Sequence, residues 1–218
     1  DIKKAIVTIK ILGVGGGGNS VLLRMAKNKV LDVELIAVNT DAKQLALLEE
    51  QGITPLQIRE SLTKGRGTGG NLEIGETAAK ADEEKLREAM KGADLVFVTA
   101  GMGGGAGTGA APVVARIAKD LGILTIGVVT VPFSFEGARK KRLANEGIVK
   151  MQANMDALIA VHNDNLLKLP ENKHMSLVQA FEEADNILRQ AIRCIAELIL
   201  TTGVINVDFA DVTSIFRQ

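Results

Sequence analysis

Residues Gly101-Met102-Gly103-Gly104-Gly105-Ala106-Gly107-Thr108-Gly109 follow an apolar run rich in β-branched side chains and precede an amphipathic stretch. Six glycines in nine residues leave backbone N–H groups uncovered, and a helix starting there aims the positive end of its dipole at the same point. Such a turn is suited to cradling a phosphate. An earlier run, Gly13-Val14-Gly15-Gly16-Gly17-Gly18-Asn19, stands in the same relation to another apolar segment, so one ligand with several phosphates could use both. Gly13, Gly15 and Gly18 also satisfy G-x-G-x-x-G, the pattern of dinucleotide-binding domains, and a nicotinamide-dependent oxidoreductase is therefore one reading. That pattern wants an acid at the end of the second strand to hold a ribose, where this chain has Asn39 followed by Thr40 and Asp41. No G-x-x-x-x-G-K-[ST] run occurs, so no lysine of that motif reaches a phosphate and the holding falls to backbone donors.

The elements that must position these loops follow from periodicity. Strands are expected at Ala5–Leu12, Glu34–Asn39, Leu56–Ile58, Leu95–Ala100, Leu124–Val131 and Ala157–Val161. Between them come helices near Ser20–Lys29, Ala42–Glu50, Asn71–Lys91, Thr108–Leu121 and Phe135–Asn154. This alternation predicts an α/β fold, a Rossmann-like, mostly parallel sheet with helices on both faces. Both glycine runs, Asn39-Thr40-Asp41 and Asn163-Asp164 then fall at the carboxyl ends of strands, where such sheets bind ligands. Leu177, Phe181, Ala184, Leu188, Ala191, Ile195 and Leu198 recur at spacings of three and four, which predicts one long central helix over Ser176–Leu200, capped by Ser176 and closed by Gly203.

Composition narrows the function. The chain of 218 residues is 46% apolar and carries 26 Lys+Arg against 26 Asp+Glu, so no net field draws it to nucleic acid or to an anionic membrane. No membrane-spanning run or signal-peptide pattern is seen, and the lone Cys194, expected as a small buried hydrophobe, excludes an internal disulfide. These features suit a cytoplasmic protein. No dedicated cluster of metal ligands stands out, so the Mg²⁺ that a triphosphate ligand would imply is expected to be held by phosphate oxygens and water.

The run Gly101–Gly109 continuing into Ala110-Ala111-Pro112, together with Ala37-Val38-Asn39-Thr40-Asp41, Phe135-Glu136-Gly137 and Asn206–Asp211, resembles the tubulin/FtsZ superfamily in its bacterial cell-division form. The likeness runs from about Ile9 to Gln218 and rests on several motifs in family order. It implies binding of GTP and GDP, head-to-tail self-assembly into division filaments at midcell, and hydrolysis completed by the next subunit. It assigns Gly16, Gly17, Asn19 and Asn39 to the first phosphate loop and its surroundings, and Gly103, Gly104, Gly105, Ala106, Gly107 and Thr108 to the second. Gly67 and Gly69 match a third loop that closes over the terminal phosphate. Glu136 matches the ribose ligand, although the first-turn acid of an ordinary helix reads the same way, and Lys140 stands where Arg is common, with Arg139 and Arg142 beside it. Asn163 and Asp185 match the pair that reads guanine. Phe181 stands one turn before Asp185, placed to stack on the base.

Asp208 and Asp211 match the acids inserted into a neighbour's site, where they orient the attacking water. Ala106 replaces a usual Thr, which implies weaker hydrolysis or weaker preference for GTP over GDP and keeps open a further reading, a nucleotide-gated structural filament protein with reduced catalysis. His162, where Pro is usual, receives no role. On this resemblance residues 1–175 form the GTP-binding domain, 176–201 the central helix and 202–218 the catalytic loop and the start of the next helix. The second domain of the family, and the regions that recruit division proteins, are not in the sequence. The expectation is GTP binding with poor filament formation and exposed apolar residues on the central helix.

Overall fold

Apolar runs dense in Val and Ile pair as six parallel strands, because βαβ connections return each strand in the same direction and helices cover both faces. The computed structural model describes residues 7–28, 32–59 and 72–202; Gly67, Gly69, Asn71, Gly203, Asp208 and Asp211 lie outside them. The elements are β1 (Ile9–Val14), α1 (Gly15–Lys27), β2 (Glu34–Asn39), α2 (Ala42–Glu49), β3 (Thr54–Gln57), α3 (Leu72–Ala81), α4 (Glu83–Met90), β4 (Leu95–Gly101), α5 (Gly105–Asp120), β5 (Leu124–Val131), α6 (Ala138–Gln152), β6 (Ala157–His162) and α7 (Leu177–Thr202). The sheet order is β3-β2-β1-β4-β5-β6. Chain direction across the sheet therefore reverses between β1 and β4, and both glycine runs leave from those two neighbouring strands.

Alternation along β1 sends Leu12 and Val14 to one face and Ile9 and Ile11 to the other. The first face is covered by α3, α4, α5 and α6 through Ala78, Leu86, Val114, Ile117 and Met151. The second is covered by α1, α2 and α7 through Leu22, Leu48, Leu188, Ile192 and Ile195. Helix α7 is started by a reciprocal cap, in which Ser176 Oγ accepts from the Gln179 N–H and Gln179 Oε1 accepts from the Ser176 N–H. Its buried stripe includes Ala184, Leu188, Ile192, Ile195 and Ile199, while Leu177 and Leu198 point outward at 62% and 45% exposure.

Several boundaries move from expectation for local reasons. Strand β1 runs on through Gly13, which pairs with Ala37 on one side and Thr99 on the other. The helix expected over Asn71–Lys91 is two helices broken at Asp82, whose carboxylate turns away to accept the Arg59 N–H. The segment Phe135–Asn154 opens as a single 3₁₀ turn, Ser134–Glu136, because Gly137 at φ 108° separates it from α6. Cys194 is exposed rather than buried, since it falls on the side of α7 opposite Ile192 and Ile195.

The glycine-rich helix starts are also close-packed surfaces. A Cβ on Gly18 would lie 2.5 Å from the Thr99 carbonyl oxygen, and one on Gly109 would lie 2.2 Å from that of Leu72 in α3. These are backbone atoms in the core, with little room to retreat. Gly109→Ala is expected to cost about 1–3 kcal/mol through overpacking, read as a lower urea midpoint with an unchanged slope. Gly104→Ala, where a Cβ meets nothing within 4 Å, should leave the midpoint in place.

Candidate functional site

At the carboxyl edge of the sheet, beside the β1–β4 crossover, lies a cleft of about 200 Å³. The end of it suited to an anion is made by helix starts. α1 begins directly at Gly15, whose φ of 75° turns the chain from strand to helix, and Gly16 and Gly17 are exposed. A Cβ on Gly16 would have only the tip of Gln44 nearby, and one on Gly104 would face open space. Two helix N-termini thus present uncovered N–H groups with no acid in either first turn. The remaining glycines bring backbones together, Gly15 against Gly107 and Gly17 against Gly101. Gly105 and Gly107 are buried within the first turn of α5, and Ala106 is half-buried between them.

Polar side chains around these loops are spent on holding them. Asn19 donates to the Gly13 carbonyl at 2.7 Å and accepts from Asn39 Nδ2 at 2.9 Å. Asn39 Oδ1 takes the N–H groups of Thr40 and Asp41, and Asp41 then caps α2 through the N–H groups of Lys43 and Gln44. Thr108 Oγ1 accepts from the Gly103 N–H at 2.7 Å, fixing a residue at φ 104° where a Cβ would strike Pro132 and the Lys140 carbonyl. Asn19, Asn39 and Thr108 are therefore buried pins behind the cradle and not part of the cleft wall.

The rest of the cleft gathers Glu136, Lys140, Asn163, Phe181 and Asp185 from three segments distant in sequence. Glu136 Oε2 accepts from the Phe133 N–H at 2.8 Å and Oε1 pairs with Lys140 Nζ at 3.6 Å, so the residue is both a turn cap and a cleft carboxylate. Phe181 is 42% exposed and meets Phe133 edge-on at 5.5 Å, while Phe133 stacks on Phe135 at 4.8 Å. Asn163 is 4% exposed, and its Oδ1 has no hydrogen-bond partner among the described residues. An orphaned buried acceptor costs about 1–3 kcal/mol, which a ligand N–H can recover. Asp185 accepts a hydrogen bond from Ser20 Oγ at 2.6 Å, with Arg24 Nε 3.5 Å away. Burial pushes its carboxyl above the usual range, and the Ser20 hydrogen bond and the Arg24 charge oppose that rise.

Three neighbours of the cleft receive no role from sequence reasoning, although Asp164 is expected at a strand end. Ser20 and Arg24 stand on α1, and nothing in the local pattern brings them to a helix 165 residues on. Asp164 anchors the Phe133–Glu136 turn by accepting from the Ser134 N–H and hydroxyl, contacts that hold its carboxyl below the usual range, helped by Lys141. Gly67, Gly69, Asp208 and Asp211 are outside the described residues. Among the described residues no three acidic, His or Cys groups converge to hold a metal ion.

Comparison with known proteins matches this architecture. A family model described as Tubulin/FtsZ family, GTPase domain, matches residues 8–171. An empty FtsZ dimer from M. jannaschii is 40% identical and superposes with a TM-score of 0.86, covering 99% of this chain and 62% of its own. A CetZ2 protofilament with bound GTPγS from Haloferax volcanii is 23% identical, with a TM-score of 0.75 over 95% of this chain and 62% of its own, a likeness of fold. A GDP-bound CetZ1 monomer from the same organism gives 23% and 0.76, over 87% of this chain and 60% of its own. The chain spans about 62% of the length of the FtsZ structure.

Because folding raises the Asp185 pKa, the folded state holds that proton more readily than the unfolded chain. The stability it contributes is complete below the ordinary carboxylate range and is lost as pH rises through the folded value. Asp185→Asn, which keeps the shape without the charge, should raise the urea midpoint of the nucleotide-free protein at neutral pH. The advantage should vanish under acid conditions.

Proposed function

Since the chain belongs to the Tubulin/FtsZ family through its GTPase domain, we propose that it binds guanine nucleotides in this cleft and hydrolyses GTP when a second copy completes the site. The observation that carries the reading is Asn163. A buried amide oxygen without a partner among the described residues, lining the same small cleft as a carboxylate, suits a base that presents N–H donors. Guanine presents N1–H and a 2-amino group to Asp185, a pair that adenine lacks. Phe181 offers a ring face for the base, supported from behind by Phe133, and Glu136 is proposed to accept from ribose hydroxyls with Lys140 alongside.

The phosphates are proposed to lie over Gly16, Gly17 and Gly104, where backbone N–H groups and two helix dipoles oppose their charge. A Mg²⁺ ion, carried on phosphate oxygens and water, would supply further charge neutralisation. Hydrolysis requires a water to attack the terminal phosphorus as the bond to the GDP oxygen breaks. Asp208 and Asp211 of the neighbour are the groups proposed to orient that water and receive its proton. Exposed Phe135, Leu169, Leu177 and Val178 at the cleft end of the molecule support a subunit contact there. A heterologous contact of this kind propagates as an open filament, which makes a role in cytoplasmic division filaments the proposed biology. No helix among the described residues is long and apolar enough to cross a membrane. The G-x-G-x-x-G match lacks the ribose acid it needs at the end of β2, where Asn39 is buried and bonded to Asn19 and Gln44, which leaves little to favour an oxidoreductase.

Calorimetric titration with GTP, GDP, ATP and NAD, each with Mg²⁺, tests the binding step. Tight binding of GTP and GDP alone is expected, and Asn163→Ala should weaken GDP by about tenfold; NAD binding, or equal affinity for ATP, would overturn the reading. Phosphate release per subunit should be low and rise with protein concentration. Asp211→Ala should abolish it without weakening GTP binding, and Ala106→Thr should increase it; release that is independent of concentration would remove the second copy from the mechanism.

A further inference from the structure

The contact between Ser20 and Asp185 joins the two halves of the cleft. Ser20 lies one turn beyond Gly16 and Gly17, on the same side of α1, so a single short helix carries the anion cradle at its tip and a hydroxyl just behind it. That hydroxyl donates to Asp185 Oδ2 at 2.6 Å, and Arg24, one turn further along α1, approaches the same oxygen at 3.5 Å. Oδ1 has no hydrogen-bond partner among the described residues. Oδ2 is thereby tethered to α1, while Oδ1 and the unused acceptor capacity of Oδ2 are left for a ligand.

We propose that Ser20 is a positioning residue for base selection. Its hydroxyl fixes the orientation of the Asp185 carboxylate and ties the base reader to the helix that cradles the phosphates. The inference rests on the guanine-nucleotide reading and deepens it. An ionised carboxylate accepts from both guanine donors, whereas a protonated one could donate to N1 of adenine. Loss of the hydroxyl therefore erodes selection from both directions. The charged groups around Asp185 are Arg24 on α1 and Glu182 and Arg189 on α7, with Glu136 and Lys140 on the opposite wall of the cleft. Arg24 favours ionisation and Glu182 opposes it, alongside the burial that Ser20 counters.

The test compares the wild-type chain with Ser20→Ala and Ser20→Thr, measuring GDP, IDP and ADP affinity across the acidic to neutral range. Asp185 is titrated in parallel by carboxyl carbon-13 resonance without nucleotide. Ser20→Ala should weaken GDP by about tenfold, leave ADP as tight or tighter, and move both the GDP pH profile and the Asp185 titration to higher pH. Ser20→Thr should restore all three. IDP, which lacks the 2-amino donor, should lose less than GDP.

Unchanged GDP affinity and pH profile in Ser20→Ala would overturn the proposal, as would equal weakening of GDP and ADP, which marks general damage to α1. A wild-type chain with no preference for GDP over ADP would overturn the guanine reading and the selection role with it. The Asp185 titration separates that failure from failure of the contact, because it moves only if Ser20 holds the carboxylate.

Discussion

The site depends on backbone touching backbone at the strand crossover. Gly15 faces Gly107, Gly17 faces Gly101, and Gly18 lies over the Thr99 carbonyl, with no space at Gly15 or Gly18 for a methyl group. Two helix N-termini can converge on one small volume only if their first turns interpenetrate, and side chains would keep them roughly a residue diameter apart. Glycine removes that spacer. Its conformational cost in the unfolded chain is offset by extensive apolar burial on both sheet faces, where Phe97, Leu12, Leu22 and Ile117 are fully enclosed.

Around that contact, polar groups divide into those already satisfied and those still unsatisfied. Asn19, Asn39, Asp41 and Thr108 spend hydrogen bonds on neighbouring backbone, so the loops are tied down by the protein's own groups. Asn163 and Asp185 are the opposite case, one an oxygen without a partner among the described residues and the other a carboxyl whose ionisation is opposed by burial. Fixed loops with a few unsatisfied groups between them make a preorganised site, in which ordering costs are met during folding.

Much of this arrangement was legible in the residue pattern. Strands Glu34–Asn39 and Leu124–Val131 lie where alternation and β-branching put them, since both are central and enclosed by helices. The gathering of Glu136, Lys140, Asn163, Phe181 and Asp185 was implied by the family resemblance, and spacing alone set only Phe181 and Asp185 on one helix face. What escaped was tertiary. Glycine after a strand reads as loop, so the sequence concealed that Gly13 is still strand and that Gly15 and Gly105 are already helix. The bond from Ser20 to Asp185 spans 165 positions and leaves no local trace. The exposure of Cys194 turned on a rotation of one residue around α7, finer than a pattern of threes and fours resolves.

That misplaced cysteine gives the molecule a chemical handle. The chain has one thiol, exposed on α7, and no Trp or Tyr to compete with an attached fluorophore. Cys194 and Asp185 share the helix, separated along its axis by roughly 13 Å at 1.5 Å per residue. A dye coupled there sits within energy-transfer range of a labelled nucleotide yet outside the cleft, on a rod stiff enough to hold the separation constant. This chain thus already carries an attachment point from which occupancy of the cleft can be read.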